Sequence, residues 1–392
     1  MSSALLVAGI DISKFSTPCF VVNLEALENN LKRLDEVQKR TGAKVLAALK
    51  GFAMHPVAPL VMKYLKGTTA SGLHELIHGA KEFGGEAHVY CPAFDERDFG
   101  KICDLAHHIV FNSPNQWKRF RGAVENHSKA SGKKISCGIR VNPEYSEIET
   151  DLYNPCFKHS RLGTTLANFN EALLDGIEGL HFHTLCEQNS DTLARTLPHV
   201  EEKFGKFIDS QCHWVNFGGG HHITRPDYNV DLLCETINAF RKRHPYVEVY
   251  LEPGEAVALN TGILVTQVLE TLDNEMPLAI LDTSASTHMP DVLEMPYRPQ
   301  IVGAGVPGEK SVTYRLGGLT CLAGDVIGDY SFDAPLSPGD KLVFLDMAHY
   351  SMVKTTTFNG VKLASLATYD PRSQQAKLIK EFGYEDYKCR LG

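Results

Sequence analysis

Lys50 stands in apolar company: Ala47-Ala48-Leu49 precede it and Gly51-Phe52 follow. Such neighbours strip water from an amine, lower its pKa and make it a nucleophile toward a carbonyl carbon. A lysine snorkelling from a strand end to solvent would carry the same flanks. Glu252, in Leu251-Glu252-Pro253-Gly254, is either a carboxylate that keeps a heteroaromatic ring nitrogen protonated or a solvent-facing turn acid. Gly218-Gly219-Gly220 offers bare N–H groups in a tight turn, which suit a phosphate. It is not the GxGxxG pattern, and no acid follows at ribose-binding distance, so a dinucleotide site is not expected. In His181-Phe182-His183 a strand would place both imidazoles on one face, for stacking on a ring or for holding a metal. With His221-His222 nearby, the four histidines also fit a zinc hydrolase built in a barrel. A satisfied core histidine is the third reading. A metal site alone would leave Lys50 and the glycine turn without a role.

These residues need a scaffold that gathers strand ends. From about Lys44 to Pro253 short apolar, β-branched runs alternate with amphipathic stretches. The strands are expected at 44–49, 67–71, 88–91, 108–112, 134–141, 179–184, 213–217 and 248–252. Ser71–Phe83 reads as a helix, with Leu73, Leu76, Ile77 and Ala80 at three- and four-residue spacing. Eight such repeats imply an α/β fold, a (β/α)8 barrel, whose reacting groups sit where strands end. An open doubly wound sheet is the structural alternative. Lys50, Arg140, His183, Gly218–Gly220 and Glu252 all fall at such ends. After Gly254 the pattern becomes strands at 262–271, 278–282, 310–316 and 341–345, separated by Gly and Pro turns. The strand at 17–22 is expected to join this C-terminal β-sandwich or β-barrel. The expected division is therefore a barrel over 24–258 and a β domain made of 1–23 and 259–392.

A chain of 392 residues accommodates two such domains, and 43% apolar against 22% charged residues supplies a real core. No run approaches the ~20 apolar residues of a membrane helix, and Met1–Ile10 lacks the charged start of a secretory signal. Ten scattered cysteines without a CxxC pair argue against a zinc ribbon or a disulfide framework and fit a reducing cytoplasm. A net charge of −8 disfavours nucleic acid and anionic membranes as partners and suits a small cationic substrate.

Read in order, the segments resemble the fold-type III (alanine racemase-like) pyridoxal-phosphate decarboxylases, the group acting on diaminopimelate, ornithine and arginine. The likeness rests on Thr17-Pro18, Ala48-Leu49-Lys50, Ala70-Ser71 with Glu75, Phe182-His183, Gly218-Gly219-Gly220, Glu252-Pro253-Gly254, Gly318-Leu319-Thr320-Cys321 with Asp325, and Ala348-His349-Tyr350. Within that group, His181–Glu187, Gly220-His221-His222-Ile223-Thr224 and Glu252-Pro253-Gly254-Glu255 look like the branch that decarboxylates carboxynorspermidine and carboxyspermidine. Larger relatives carry Gly-Ser after the histidine and Arg after Glu-Pro-Gly. Here Cys186 and Glu255 stand instead, so the phosphate must rely more on the glycine turn, Tyr350 and other donors.

The resemblance implies pyridoxal 5'-phosphate carried on Lys50, with His183 stacked on its ring and Glu252 on its ring nitrogen. Gly218, Gly219, Gly220 and Tyr350 would hold it, and Arg140 and Arg161 match basic positions nearby. Cys321 would return a proton to the substrate's Cα. Cys321 and Asp325 would come from the β domain of a second subunit, which implies a homodimer with shared sites. Candidate contacts for a cationic substrate tail are Asp282, Asp325, Glu187, Glu255, Asp291 and Glu294. A carboxylate on the ring nitrogen, where racemases of this fold use Arg, favours decarboxylation. The rival expectations are a diaminopimelate or other basic amino-acid decarboxylase, a zinc hydrolase on His181, His183, His221 and His222, and a non-catalytic cofactor carrier.

Overall fold

The computed structural model describes residues 9–392 and the backbone of Leu6–Val7; most of the Met1–Ile10 stretch lies outside the described residues. The chain divides into two compact units, one of residues 30–257 and one of residues 1–29 with 258–392.

Strand β1 (Cys19–Asn23) belongs to the second unit. Strands β2 (Lys44–Ala48), β3 (Gly67–Ala70), β4 (Glu86–Tyr90), β5 (His108–Phe111), β6 (Ser136–Arg140), β7 (Gly179–His181), β8 (Trp214–Asn216) and β9 (Glu248–Leu251) close into a parallel barrel. Neighbours pair in sequence order, and β9 closes onto β2 through Tyr250–Lys44 and Leu251–Val45. The closed ring settles the choice against an open sheet.

The strands are shorter than their apolar runs because the last residues bend into the site. Helices follow most of them. The longest, Ser190–Gln211, is capped by the Asn189 side chain and buries Leu193, Leu197, Val200, Phe204, Phe207 and Ile208 at helical spacing. The expected Ser71–Phe83 helix is a regular turn over Leu73–His78 continued by a wider π segment, Gly79–Phe83. The β6–β7 connection is long and carries two short 3-10 helices, Leu166–Asn168 and Glu171–Leu173.

Inside the barrel, Leu46, Val110, Trp214 and Tyr250 form one packed layer with Tyr90 against it. Trp214 fits because its neighbours are glycines: a Cβ on Gly179 would lie 2.1 Å from the indole, and one on Gly138 2.3 Å. At the strand starts, Lys44 pairs with Glu86 at 2.7 Å and Glu248 at 3.0 Å.

The second unit is a sheet in the order β13-β12-β11-β10-β1-β15-β16, with β10 (Gly262–Asp273), β11 (Pro277–Leu281), β12 (Val312–Gly317), β13 (Val326–Phe332), β14 (Lys341–Leu345), β15 (Ser365–Asp370) and β16 (Gln375–Lys380). Its first half pairs β10 with β14 and β1; the second half of β10 pairs with β11. Alternation along β1 and β10 feeds two cores, Phe20 with Leu264 in one and Val21 with Ile263 and Val265 in the other. The N-terminal strand thus sits inside this sheet, as the sequence pattern leads one to expect. Strands β13, β15 and β16 have no clean apolar run; Gly328 and Asp329 interrupt the first, and the last is mostly exposed.

Gly179→Ala is expected to destabilise the protein by about 1–3 kcal/mol through overpacking against Trp214. Urea unfolding checks it, and Trp214→Phe in the same chain should recover part of the loss.

Candidate active site

In the barrel unit the C-terminal ends of β2, β6, β7, β8 and β9 bring together Lys50, Arg140, His183, the glycine turn and Glu252. Two backbone contacts join Lys50's loop to that of Glu252: Ala48 N–H donates to Pro253 O at 3.1 Å, and Gly51 abuts Gly254 so closely that a Cβ there would lie 2.8 Å from its Cα.

Lys50 keeps solvent-accessible surface, but protein atoms crowd around its amine, which sits below the usual lysine range. Loss of hydration does most of this, Arg140's positive charge adds to it, and Glu252, Cys186 and Glu75 oppose it. A lowered amine pKa increases the fraction of the nucleophilic free base.

Glu252 is held at both of its carboxylate oxygens. His181 Nε2 lies 3.0 Å from Oε2, and Asn216 Nδ2 donates to Oε1 at 2.8 Å. Burial would raise its pKa, but His181, Thr69's hydroxyl and His88 outweigh that and hold it at about 2.

His183 is half-buried. Its Nδ1 accepts the Gly219 N–H at 3.0 Å, which leaves the ring's proton on Nε2. Desolvation, then the charges of Lys50 and Arg140, keep it well below the usual histidine pKa, so it is a neutral flat ring.

Gly218 N–H is spent on Asn216 Oδ1 at 2.8 Å. The turn's glycines are needed partly for close packing. A Cβ on Gly219 would lie 2.4 Å from Glu252 O, and one on Gly220 1.9 Å from Leu185 O. Arg140 is buried, donates to His183 O at 3.4 Å and lies 4.6 Å from the Tyr90 ring centre. Arg161 is exposed, and its carbonyl accepts from Asn112 Nδ2 at 2.8 Å. Glu187 lies in an exposed turn with φ +54, and Glu255 Oε1 is 3.4 Å from His222 Nε2.

The four histidines of the zinc alternative have separate surroundings. His181 faces Glu252, His183 faces Gly219, and His222 faces Glu255. The fully buried His221 ring is depressed to about 4 by desolvation.

In the sheet unit, Cys321 is exposed and its N–H donates to Asn359 Oδ1 at 2.8 Å. Asp325 is buried and accepts from Ser284 Oγ, Ser286 N, Thr320 N and Thr320 Oγ1, at 2.7 to 3.3 Å. It therefore ties down the turn that carries Cys321. Asp282 Oδ1 takes the Thr266 hydroxyl at 2.6 Å and Gln267 N–H at 2.9 Å. Asp291 and Glu294 both pair with Lys354. Tyr350 opens the short helix Tyr350–Val353 and is half-buried.

Asn216, Thr69 and Tyr90 were not singled out among the candidate residues above. The available signal was Asn216, a polar residue inside a barrel strand two places before the glycine turn.

A barrel whose strand ends join a desolvated lysine, a charge-holding carboxylate and a glycine turn, in a chain with a separate sheet unit, has a known class. The family described as pyridoxal-dependent decarboxylase, C-terminal sheet domain, matches residues 19–348. The chain belongs to this family and is a pyridoxal-phosphate-dependent carboxy-lyase. It is 45% identical over 382 residues to a carboxyaminopropylagmatine decarboxylase from Synechocystis sp., covering 97% of each chain. It is also 45% identical over 388 residues to a carboxynorspermidine/carboxyspermidine decarboxylase from Campylobacter jejuni subsp. jejuni, covering 96% of this chain and 99% of that one. Among solved structures, carboxynorspermidine decarboxylase from Campylobacter jejuni complexed with norspermidine superposes with TM-score 0.88 at 43% identity, covering 96% of this chain and all of that one.

The residues fit the cofactor: Lys50 supplies the amine, Glu252 an ionised partner for a ring nitrogen, and His183 a neutral ring. Glu252's depressed pKa also has a consequence for stability. Its contribution is fully present above the unfolded carboxylate's pKa of about 4.3 and is lost as pH falls toward about 2. Acid denaturation of the cofactor-free protein is therefore expected to show a shallower loss over that window in Glu252→Gln than in wild type.

Proposed function

We propose that the enzyme removes the carboxylate of carboxynorspermidine or carboxyspermidine, releasing norspermidine or spermidine and CO2 in polyamine biosynthesis. The observation that carries this reading is the pairing, at one strand-end cluster, of Glu252, held as an anion by His181 and Asn216, with Lys50, a readily deprotonated amine. The choice of substrate is supported by the near-full-length likeness to the Campylobacter jejuni enzymes.

Pyridoxal phosphate, when bound, supplies an electron sink for the pair left behind when the carboxylate departs. Lys50 would hold it covalently through its readily deprotonated amine. Glu252, held ionised, would keep the ring nitrogen charged and the sink strong. His183 would cover one ring face without adding charge. With Glu255 in place of an arginine, the phosphate falls to the N–H groups around Gly220, to Tyr350 and to other donors. Arg140 and Arg161 would add positive charge nearby.

Cys321 is the proposed proton donor to Cα, supplied by the sheet unit of a second subunit. Its exposure between Leu319 and Leu322, themselves 47% and 45% exposed, supports a homodimer in which that turn is covered. Asp325 then acts as the anchor of the Cys321 turn rather than as a contact for the substrate tail. Asp291 and Glu294 are occupied by Lys354. Asp282, Glu187 and Glu255 are the acids we assign to the cationic tail. Cytoplasmic placement is supported by ten cysteines that all stand as free thiols.

A second reading, decarboxylation of carboxyaminopropylagmatine, is favoured by equal identity to the Synechocystis enzyme. Its tail ends in a guanidinium rather than an ammonium, so the same acids would serve. Measured CO2 release is expected to be fastest from the carboxy-triamines, slower from carboxyaminopropylagmatine and slowest from diaminopimelate. A different order reassigns the substrate, and a colourless protein that takes up no pyridoxal phosphate removes the reading altogether. Lys50→Ala is expected to abolish turnover. Mixing Lys50→Ala with Cys321→Ala chains should restore about a quarter of the sites, since random exchange makes half the dimers mixed and each mixed dimer holds one intact site. No recovery after demonstrated exchange would exclude shared sites.

A further inference from the structure

We propose that His181 is a positioning residue for Glu252: its Nε2–H fixes the carboxylate without neutralising it, so the full negative charge is left for the cofactor's ring nitrogen. This rests on the reading of Glu252 given above and adds a residue to it.

The two oxygens of Glu252 are held by two different donors. Asn216 reaches Oε1, and its own Oδ1 accepts Gly218 N–H, so the amide can face only one way. His181 reaches Oε2 at 3.0 Å from the last residue of β7. Its ring is 2% exposed and stacks on Tyr90 with centroids 5.6 Å apart and planes 17° from parallel. The other nitrogen, Nδ1, is buried with no protein acceptor. A proton there would be a desolvated N–H without a partner, which is costly. The arrangement therefore selects one tautomer, neutral with Nε2–H.

The surrounding charges agree. Lys50, Arg140 and His183 face this end of β6 and β7 and disfavour a cation on His181, while Glu252 favours one. Burial is the largest influence on His181 and lowers its pKa. From the other side, Glu252 meets Lys50, His88 and the hydroxyl of Thr69. An imidazolium at 181 would form a closed ion pair with Glu252 and leave the ring nitrogen facing a neutral couple. A neutral donor aims the anion and keeps it whole.

The test uses full-length protein stripped of cofactor. Pyridoxal phosphate is titrated back at pH 5 and pH 8 and followed by its visible absorption band. His181→Phe keeps a flat ring against Tyr90 and removes the donor; His181→Gln returns an N–H. With the donor gone, burial acts on Glu252 with less opposition and its pKa rises. Binding by His181→Phe is therefore expected to weaken about tenfold at pH 5, one pKa unit's worth, and much less at pH 8. His181→Gln should bind like wild type at both. Turnover at pH 8 should fall in kcat with KM little changed. In a Glu252→Gln background His181→Phe should add no further pH dependence. If His181→Phe does not fold, His181→Met fills the space without a donor and serves in its place.

A loss equal at both pH values, an equal loss in Phe and Gln variants, or a wild-type profile in the variant lacking the donor would each overturn the proposal. Failure of the wild-type protein itself to bind the cofactor would instead overturn the function proposed above.

Discussion

A carboxylate buried among strand ends is unstable unless something holds it charged. At Glu252, desolvation alone would protonate the acid, and the remainder of the site would then have no anion to work with. Donors on three strands of the barrel prevent this: Thr69 on β3, His181 on β7 and Asn216 on β8. None of these side chains carries a full charge, so the anion is stabilised yet not cancelled. The barrel's closure makes this possible, because only a closed ring brings residues separated by more than 140 positions in sequence, Thr69 and Asn216, to one carboxylate.

Strand β2 shows how one scaffold makes different lysines. Lys44 begins the strand and Lys50 follows its end. Both lose hydration, but Lys44 gains Glu86 and Glu248 as direct partners, and its pKa rises above the usual value. Lys50 has Arg140 nearby and only more distant acids, and its pKa falls. One amine is locked as a structural cation; the other is left readily deprotonated. Desolvation of the amine is common to both, so the difference lies in the partners each strand end provides. This is the physical content of the rule that barrels place reactivity at their C-terminal ends.

Much of this was legible in the sequence because the reactive residues follow the apolar runs directly. Lys50 after Lys44–Ala48, the glycine turn after Trp214–Asn216 and Glu252 after Glu248–Leu251 could be placed by alternation alone. The supports of Glu252 were harder to see. Asn216 and Thr69 lie inside strands, where a polar residue has no periodic signature, and their partner is far away in sequence. His181 was visible but ambiguous, since a strand that aligns two imidazoles serves a metal as well as a carboxylate. In the sheet unit, β15 and β16 escaped notice because their side chains are mixed or exposed, and pairing across long separations defines them. The acidic residues show how partners stay hidden in a sequence. Asp325, Asp291 and Glu294 look available as bare letters, yet the fold commits them to Ser284 and Thr320 or to Lys354.

The histidines carry the electrostatic argument furthest. His181 and His183 both sit below the ordinary imidazole range, and His221 does too, at about 4. Desolvation is the largest influence on each, so each is neutral at physiological pH. Had they been charged, the cluster around Lys50 and Arg140 would hold several cations against one carboxylate, and Glu252 would be shared among them. Kept neutral, they supply flat surfaces and directed N–H groups while the charge count stays at Lys50, Arg140 and Glu252. A site that must draw negative charge into a ring nitrogen at one moment and release it at the next works best when few fixed charges compete for that charge. Neutral imidazoles near the ring meet that condition, whereas lysines or arginines in the same places would not.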